Sequence, residues 1–171
     1  MLEWDSPELK RIIKGHIRRS FARSEQHIAV MRKSRVELPP LTKKNGFPGK
    51  KNLVRFTCAI CAELFSQKHV QVDHILPAVP LDREETDMSY DELVKGICCG
   101  PENLQVVCST PMKDNNGKQS CHRKKTNLES FIRRTVKQMK DKGIFTDLNP
   151  LLLAQIELDY IKSLEQPQKT W

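Results

Sequence analysis

The chain has 171 residues, 38% of them hydrophobic, with 29 Lys and Arg against 21 Asp and Glu and a formal net charge of +8. That length suits one compact domain with an arm, and no apolar run approaches the ~20 residues of a membrane-spanning helix, so a membrane partner is not expected. Six cysteines in metal-type spacing, with no basic, apolar and small-residue leader at the start, point to a reducing, cytoplasmic setting rather than a disulfide scaffold.

The positive charge is concentrated at the N-terminus: residues 1–57 hold fourteen of the Lys and Arg and five of the acidic residues. Ser6-Pro7-Glu8 reads as an N-cap, a first-turn proline and a first-turn acid, and Leu9, Ile12, Ile13, Ile17, Phe21, Ile28 and Met31 recur at helical spacing. One long amphipathic helix is therefore predicted up to Arg35. Its polar face carries Lys10, Arg11, Lys14, Arg18, Arg19, Arg23, Arg32 and Lys33, a stripe suited to a nucleic-acid backbone; a merely solvated face is the competing reading. After Pro39-Pro40, the prolines and glycines of residues 41–51 predict an extended arm or linker. There the pairs Lys43-Lys44 and Lys50-Lys51 would follow a DNA groove.

The middle of the chain carries the chemistry. Cys58 and Cys61 have the C-x2-C spacing that aims two thiolates at one ion, and Cys108 and Cys121 can complete a tetrahedral zinc site. In Val70-Gln71-Val72-Asp73-His74-Ile75, alternating β-branched and polar residues predict a half-buried strand. Strict alternation puts Asp73 and His74 on opposite faces, although near a strand end both can reach one cleft. A neutral imidazole suits deprotonation of water, and a carboxylate oxygen suits a hard divalent cation. An acidic stretch from Leu81 to Glu92 follows, then Cys98 and Cys99, one of which is an alternative fourth thiolate. The polar, Asn-Asn-Gly-containing residues 109–120 read as a looped-out hairpin whose ends converge, since longer loops add closure cost slowly. Lys125, a turn beyond Cys121, is read either as a phosphate contact or as a solvated lysine. Leu128, Phe131, Ile132, Val136 and Met139 predict a helix ending near Gly143, and a second is predicted from Asn149-Pro150 through Leu164.

Read in order, Cys58-x2-Cys61, Asp73-His74-Ile75-x-Pro77, Asn103-Leu104-Gln105-x-x-Cys108 and Cys121-His122-x-x-Lys125 resemble the motif string of the HNH endonucleases, of the ββα-metal nuclease type. The resemblance spans about residues 58–126. It implies His74 as the general base, Asn103 as the residue that holds the strands and orients that base, and His122 with Asp73 as ligands of one divalent cation. That cation is usually Mg2+, with Mn2+ or Ni2+ able to replace it, beside the structural Zn2+. The twelve residues between Cys108 and Cys121 depart from the family's compact second knuckle.

The expected architecture is α+β: a basic helical region (1–38), an extended arm or linker (39–57), an HNH nuclease core with structural zinc (58–126) and C-terminal supporting helices (127–171). The expected activity is metal-dependent hydrolysis of phosphodiester bonds in double-stranded DNA. Its sequence resembles the small free-standing HNH proteins of bacterial viruses and mobile elements, so a viral chain would act in the host bacterial cytosol, with packaging proteins as possible partners. A non-catalytic zinc-stapled DNA-binding module and an assembly partner of the same fold are the alternatives. Neither is distinguished by oligomeric state, on which the sequence carries no signal.

Overall fold

The computed structural model describes residues 3–4, 6–42, 46–47, 49, 51–109 and 119–143. Its elements run α1 (Pro7–Phe21), α2 (Glu25–Ser34), β1 (Arg35–Leu38), β2 (Leu53–Thr57), β3 (Leu64–Phe65), β4 (Val70–His74), α3 (Tyr90–Ile97), β5 (Leu104–Cys108) and α4 (Cys121–Asp141). The fold is α+β, with two small antiparallel sheets: β1-β2-β3, and the pair β4-β5. Lys43, Lys44, Lys50, most of the 109–120 insert, the second C-terminal helix and Trp171 lie outside the described residues.

Serine caps start α1, α2, α3 and α4. Ser6, Ser24, Ser89 and Ser120 each accept from a backbone N–H in the first turn, and Ser89 with Glu92 forms a capping box. Such a cap contributes about 1 kcal/mol. Ser24 also accounts for the first departure from expectation. The predicted single helix breaks at Ala22-Arg23-Ser24, because Ser24 caps a new helix and the chain turns between the two.

A second departure lies just beyond α2. Residues 35–38 leave the helix as a strand and pair with β2 from Arg35↔Phe56 to Leu38↔Leu53. The predicted arm is thus in part the second strand of a hairpin, and β2 pairs onward with β3. Phe21, Val30 and Phe56 join Phe65, Leu104, Val106 and Val107 in one hydrophobic cluster. Residues 1–57 therefore contribute to the core and are not a detachable appendage. Likewise α4 runs unbroken across residue 126, so no boundary separates the predicted nuclease core from its supporting helix. The helix ends at Asp141, with Gly143 in the left-handed region at φ +66°, near the predicted stop. Among the described residues, no helix is long and apolar enough to cross a membrane.

The acidic stretch serves to fasten α1 and α4. Lys10 Nζ donates to Thr86 O at 3.0 Å and lies 5.8 Å from the Tyr90 ring centre, while Lys14 pairs with Glu85. From the other side Arg133 donates to the carbonyls of Val79, Pro80 and Arg83, and Lys137 pairs with Glu84 at 2.6 Å. Leu81 and Met88 anchor the same segment among buried side chains. This strap returns to the Asp73-His74 strand through α3, where Gly96 meets Ala78: a Cβ at Gly96 would stand 2.1 Å from the Ala78 carbonyl oxygen. Backbone cannot yield as a flexible side chain can, so Gly96→Ala is expected to destabilise the fold by about 1–3 kcal/mol, the usual cost of overpacking. An unshifted urea midpoint for this variant would show that α3 and the loop at Ala78 separate easily.

Candidate metal centre and adjoining cleft

Four thiols from three separate segments converge. The Sγ atoms of Cys58, Cys61, Cys108 and Cys121 all lie within 4.8 Å of one another, and Cys58, Cys108 and Cys121 are buried. Tetrahedral zinc with Zn–S bonds of about 2.3 Å places sulfurs roughly 3.8 Å apart. The four cysteines therefore can hold a metal ion such as zinc. Local backbone presents them: Ala62 N donates to Cys58 O at 2.9 Å, closing the turn, and Ala62 adopts φ 58°, a left-handed conformation uncommon for a residue with a Cβ. Two backbone amides already address sulfur, Cys108 N to Cys58 Sγ at 3.4 Å and Cys121 N to Cys108 Sγ at 3.1 Å.

Crowding divides the protons unequally. Hydrogen bonding with Cys108 holds the Cys58 thiol far below the ordinary range and pushes Cys61 and Cys121 up, while Cys121 in turn lowers Cys108. Four thiolates cannot share so small a volume without a cation. A soft divalent ion held there would replace the remaining protons, which would link metal uptake to proton release and to folding. Cys98 is exposed and Cys99 half-buried, and neither belongs to the cluster. The alternative that one of them is the fourth ligand is set aside, because β5 and the first residue of α4 bring Cys108 and Cys121 together.

β4 and β5 pair in antiparallel register, with Asp73 opposite Gln105 and His74 opposite Leu104. Both Asp73 and His74 line one cleft of about 700 Å³, bounded by the strap, α1 and α4, as expected for a strand end rather than for strict alternation. Asn103 secures that end. Its Oδ1 accepts from Leu76 N at 2.7 Å, its Nδ2 donates to Leu76 O at 3.2 Å, and its carbonyl accepts from Ile75 N at 2.8 Å. The residues immediately after His74 are thus clamped across the two strands.

His74 is oriented by a partner that local patterning does not reveal. Its Nε2 lies 3.0 Å from the carbonyl oxygen of Ile97, the last residue of α3. A carbonyl only accepts, so Nε2 carries the proton, and in the neutral ring Nδ1 keeps a free lone pair. The imidazolium form would face the negative end of the helix dipole. Across the cleft, Lys125 is 2% exposed, with Nζ 3.0 Å from Asp73 Oδ2 and 2.6 Å from Glu129 Oε1. The solvated reading of Lys125 is corrected by this burial, and its ammonium addresses two carboxylates instead of an outward phosphate. His122 lies one turn before Lys125 on α4, half-buried, and is not among the residues lining the cleft.

Two N-terminal lysines are corrected in the same way. Lys10 is buried and Lys14 is paired with Glu85, so neither forms part of an open phosphate stripe. Arg11, Arg18, Arg19, Arg23, Arg32 and Lys33 are exposed, and Lys51 is also exposed. Sequence patterning missed Ile97, Glu129 and Arg133; only the i,i+4 spacing of Lys125 and Glu129 could have signalled one of these contacts.

A scan against models of known protein families finds no match, and searches of curated proteins and of solved structures find no significant match.

Cys58→Ser is expected to remove the ion and to unfold or loosen the domain, because a site of this kind contributes directly to folding. Cys98→Ser should leave both metal content and the thermal transition near wild type. Metal analysis by plasma mass spectrometry, beside a circular-dichroism melt, checks the pair, and zinc lost from Cys98→Ser but kept in Cys58→Ser would overturn the ligand assignment.

Proposed function

We propose that the chain is a metal-dependent endonuclease of the HNH, ββα-metal type, hydrolysing phosphodiester bonds in double-stranded DNA, with a structural zinc ion on Cys58, Cys61, Cys108 and Cys121. The observation that carries this reading is the end of the β4-β5 hairpin: Asp73 and His74 share a cleft, Asn103 clamps the residues beyond them, and Ile97 O holds the proton of His74 on Nε2. The antiparallel pairing of β4 with β5, with α4 following β5 and packed on it, supports the same reading.

The chain's own groups suit the steps of hydrolysis. His74 Nδ1 accepts the proton of an attacking water, while Ile97 O fixes the ring through the opposite nitrogen. Asp73 and His122 would supply one hard oxygen and one imidazole nitrogen to a single Mg2+ or Mn2+, a donor set whose chemistry suits such an ion. When bound, such a cation supplies Lewis-acid stabilisation of charge on the leaving 3′ oxygen. Asn103 keeps the base in register by holding Leu76, and takes no proton itself.

Duplex DNA is the substrate that suits the charge. Arg11, Arg18, Arg19 and Arg23, on and just after α1, remain exposed after Lys10 and Lys14 are committed to the strap. Arg18 also borders the cleft. Phosphate contacts from these side chains would position the duplex without reading bases.

The test is relaxation of supercoiled plasmid by zinc-loaded protein in Mg2+. Activity should vanish with chelator and fall by about 10²–10⁴ in His74→Ala, the usual contribution of a general base. His74→Ala should keep its zinc and its circular-dichroism spectrum, and equal rates for the two proteins would refute the role of the imidazole. For DNA affinity, Arg18→Gln and Arg19→Gln together should flatten the slope of log K against log salt, by about 0.9 for each phosphate that is no longer neutralised. An unchanged slope would assign those arginines to a solvated face.

A further inference from the structure

We propose that Lys125 is a positioning residue for the divalent-cation site, one that occupies Asp73 Oδ2 and leaves Oδ1 as the oxygen Asp73 offers to a cation. This rests on the reading of Asp73 as a cation ligand. A lysine kept for solubility or for phosphate would expose its ammonium, yet Lys125 is 2% exposed and faces two carboxylates, at 3.0 Å from Asp73 and 2.6 Å from Glu129. Lysine has three donors and no acceptor, so it can only restrain these carboxylates by donation.

Charge and placement both favour that role. One ammonium shared between two carboxylates leaves these three groups with a net negative charge, so Lys125 by itself does not neutralise Asp73. Glu129, one turn along α4, also holds the ammonium at 2.6 Å and limits how far it can follow Asp73. Lys125 is itself four residues beyond Cys121, which belongs to the thiol cluster. The orientation of Asp73 therefore depends, through one buried side chain, on where the thiol cluster sets the start of α4. Groups that hydrogen-bond a ligating carboxylate raise its precision as a ligand, and losing one weakens metal binding by about 10–100-fold.

The experiment is a Mn2+ titration of the zinc-loaded full chain, followed by the electron paramagnetic resonance signal of free Mn2+, for wild type, Asp73→Ala and Lys125→Met. Asp73→Ala should lose the site, and Lys125→Met, with zinc content and circular dichroism unchanged, should bind about 10–100-fold more weakly. If Asp73→Ala loses Mn2+ while Lys125→Met binds as tightly as wild type or more so, the positioning role is overturned and the nuclease reading stands. If Asp73→Ala binds Mn2+ as wild type does, both are overturned. A measurement on the wild-type chain covers the case of a Lys125→Met protein that does not fold: the 15N ammonium resonance of Lys125 should persist at saturating Mg2+. Its disappearance on adding Mg2+ would show that the cation displaces the lysine, which also overturns the proposal.

Discussion

The four-thiol cluster is the constraint on which the rest of this molecule depends. It joins the turn after β2, the end of β5 and the first residue of α4, three segments that lie far apart along the chain or across a long insert. Local hydrogen bonds alone would not hold them, since the sulfurs repel once ionised and the Ala62 backbone is bent against its preference. The hydrophobic cluster around Phe56, Phe65, Val106 and Val107 surrounds the cysteines and keeps water from competing for them.

From that point the remaining order follows in sequence. Fixing Cys121 fixes the direction of α4, and α4 then carries Lys125 to Asp73 and Arg133 to the carbonyls of the strap. The strap leads into α3, whose last carbonyl meets His74. The two side chains at the cleft are thus supported from different directions, by α4 for the Asp73 carboxylate and by α3 for the His74 imidazole. Breaking the buried Lys125 pairs on one side only would leave uncompensated charge, at a cost of about 3–5 kcal/mol.

Some of this was legible in the chain and some was not, for physical reasons. The C-x2-C spacing marked Cys58 and Cys61, because such a turn has a narrow geometric meaning, while spacing left Cys98 or Cys99 as the alternative to Cys108 and Cys121 in completing the site. The strand that carries Asp73 and His74 was legible in its period-two alternation, although strict alternation puts the two on opposite faces and only a position near the strand end lets both reach one cleft. The helix break at Ser24 was hidden: no Gly or Pro marks it, and a serine cap inside a helical pattern looks like any polar residue. β1 and β2 were missed because the pairing that stabilises them crosses residues 39–52, whose prolines and glycines read as linker. Lys10, Lys14 and Lys125 were counted as surface charge, since composition cannot show that the acidic segment lies against the first two and Asp73 against the third.

The path from Ile75 to Asn103 begins and ends at one place, since Ile75 N and Leu76 are hydrogen-bonded to Asn103. In topological terms the whole excursion is a closed loop, and its Ala78, Leu93 and Ile97 belong to the hydrophobic core. Chemically it is not dispensable. The excursion carries Ile97, the acceptor for His74, and the three carbonyls that hold Arg133. Shortening it would leave Asp73, His74 and Asn103 in the chain while releasing the imidazole of His74 to turn, so that a chain trimmed to its recognisable motifs would keep its cysteines and lose the direction of that ring.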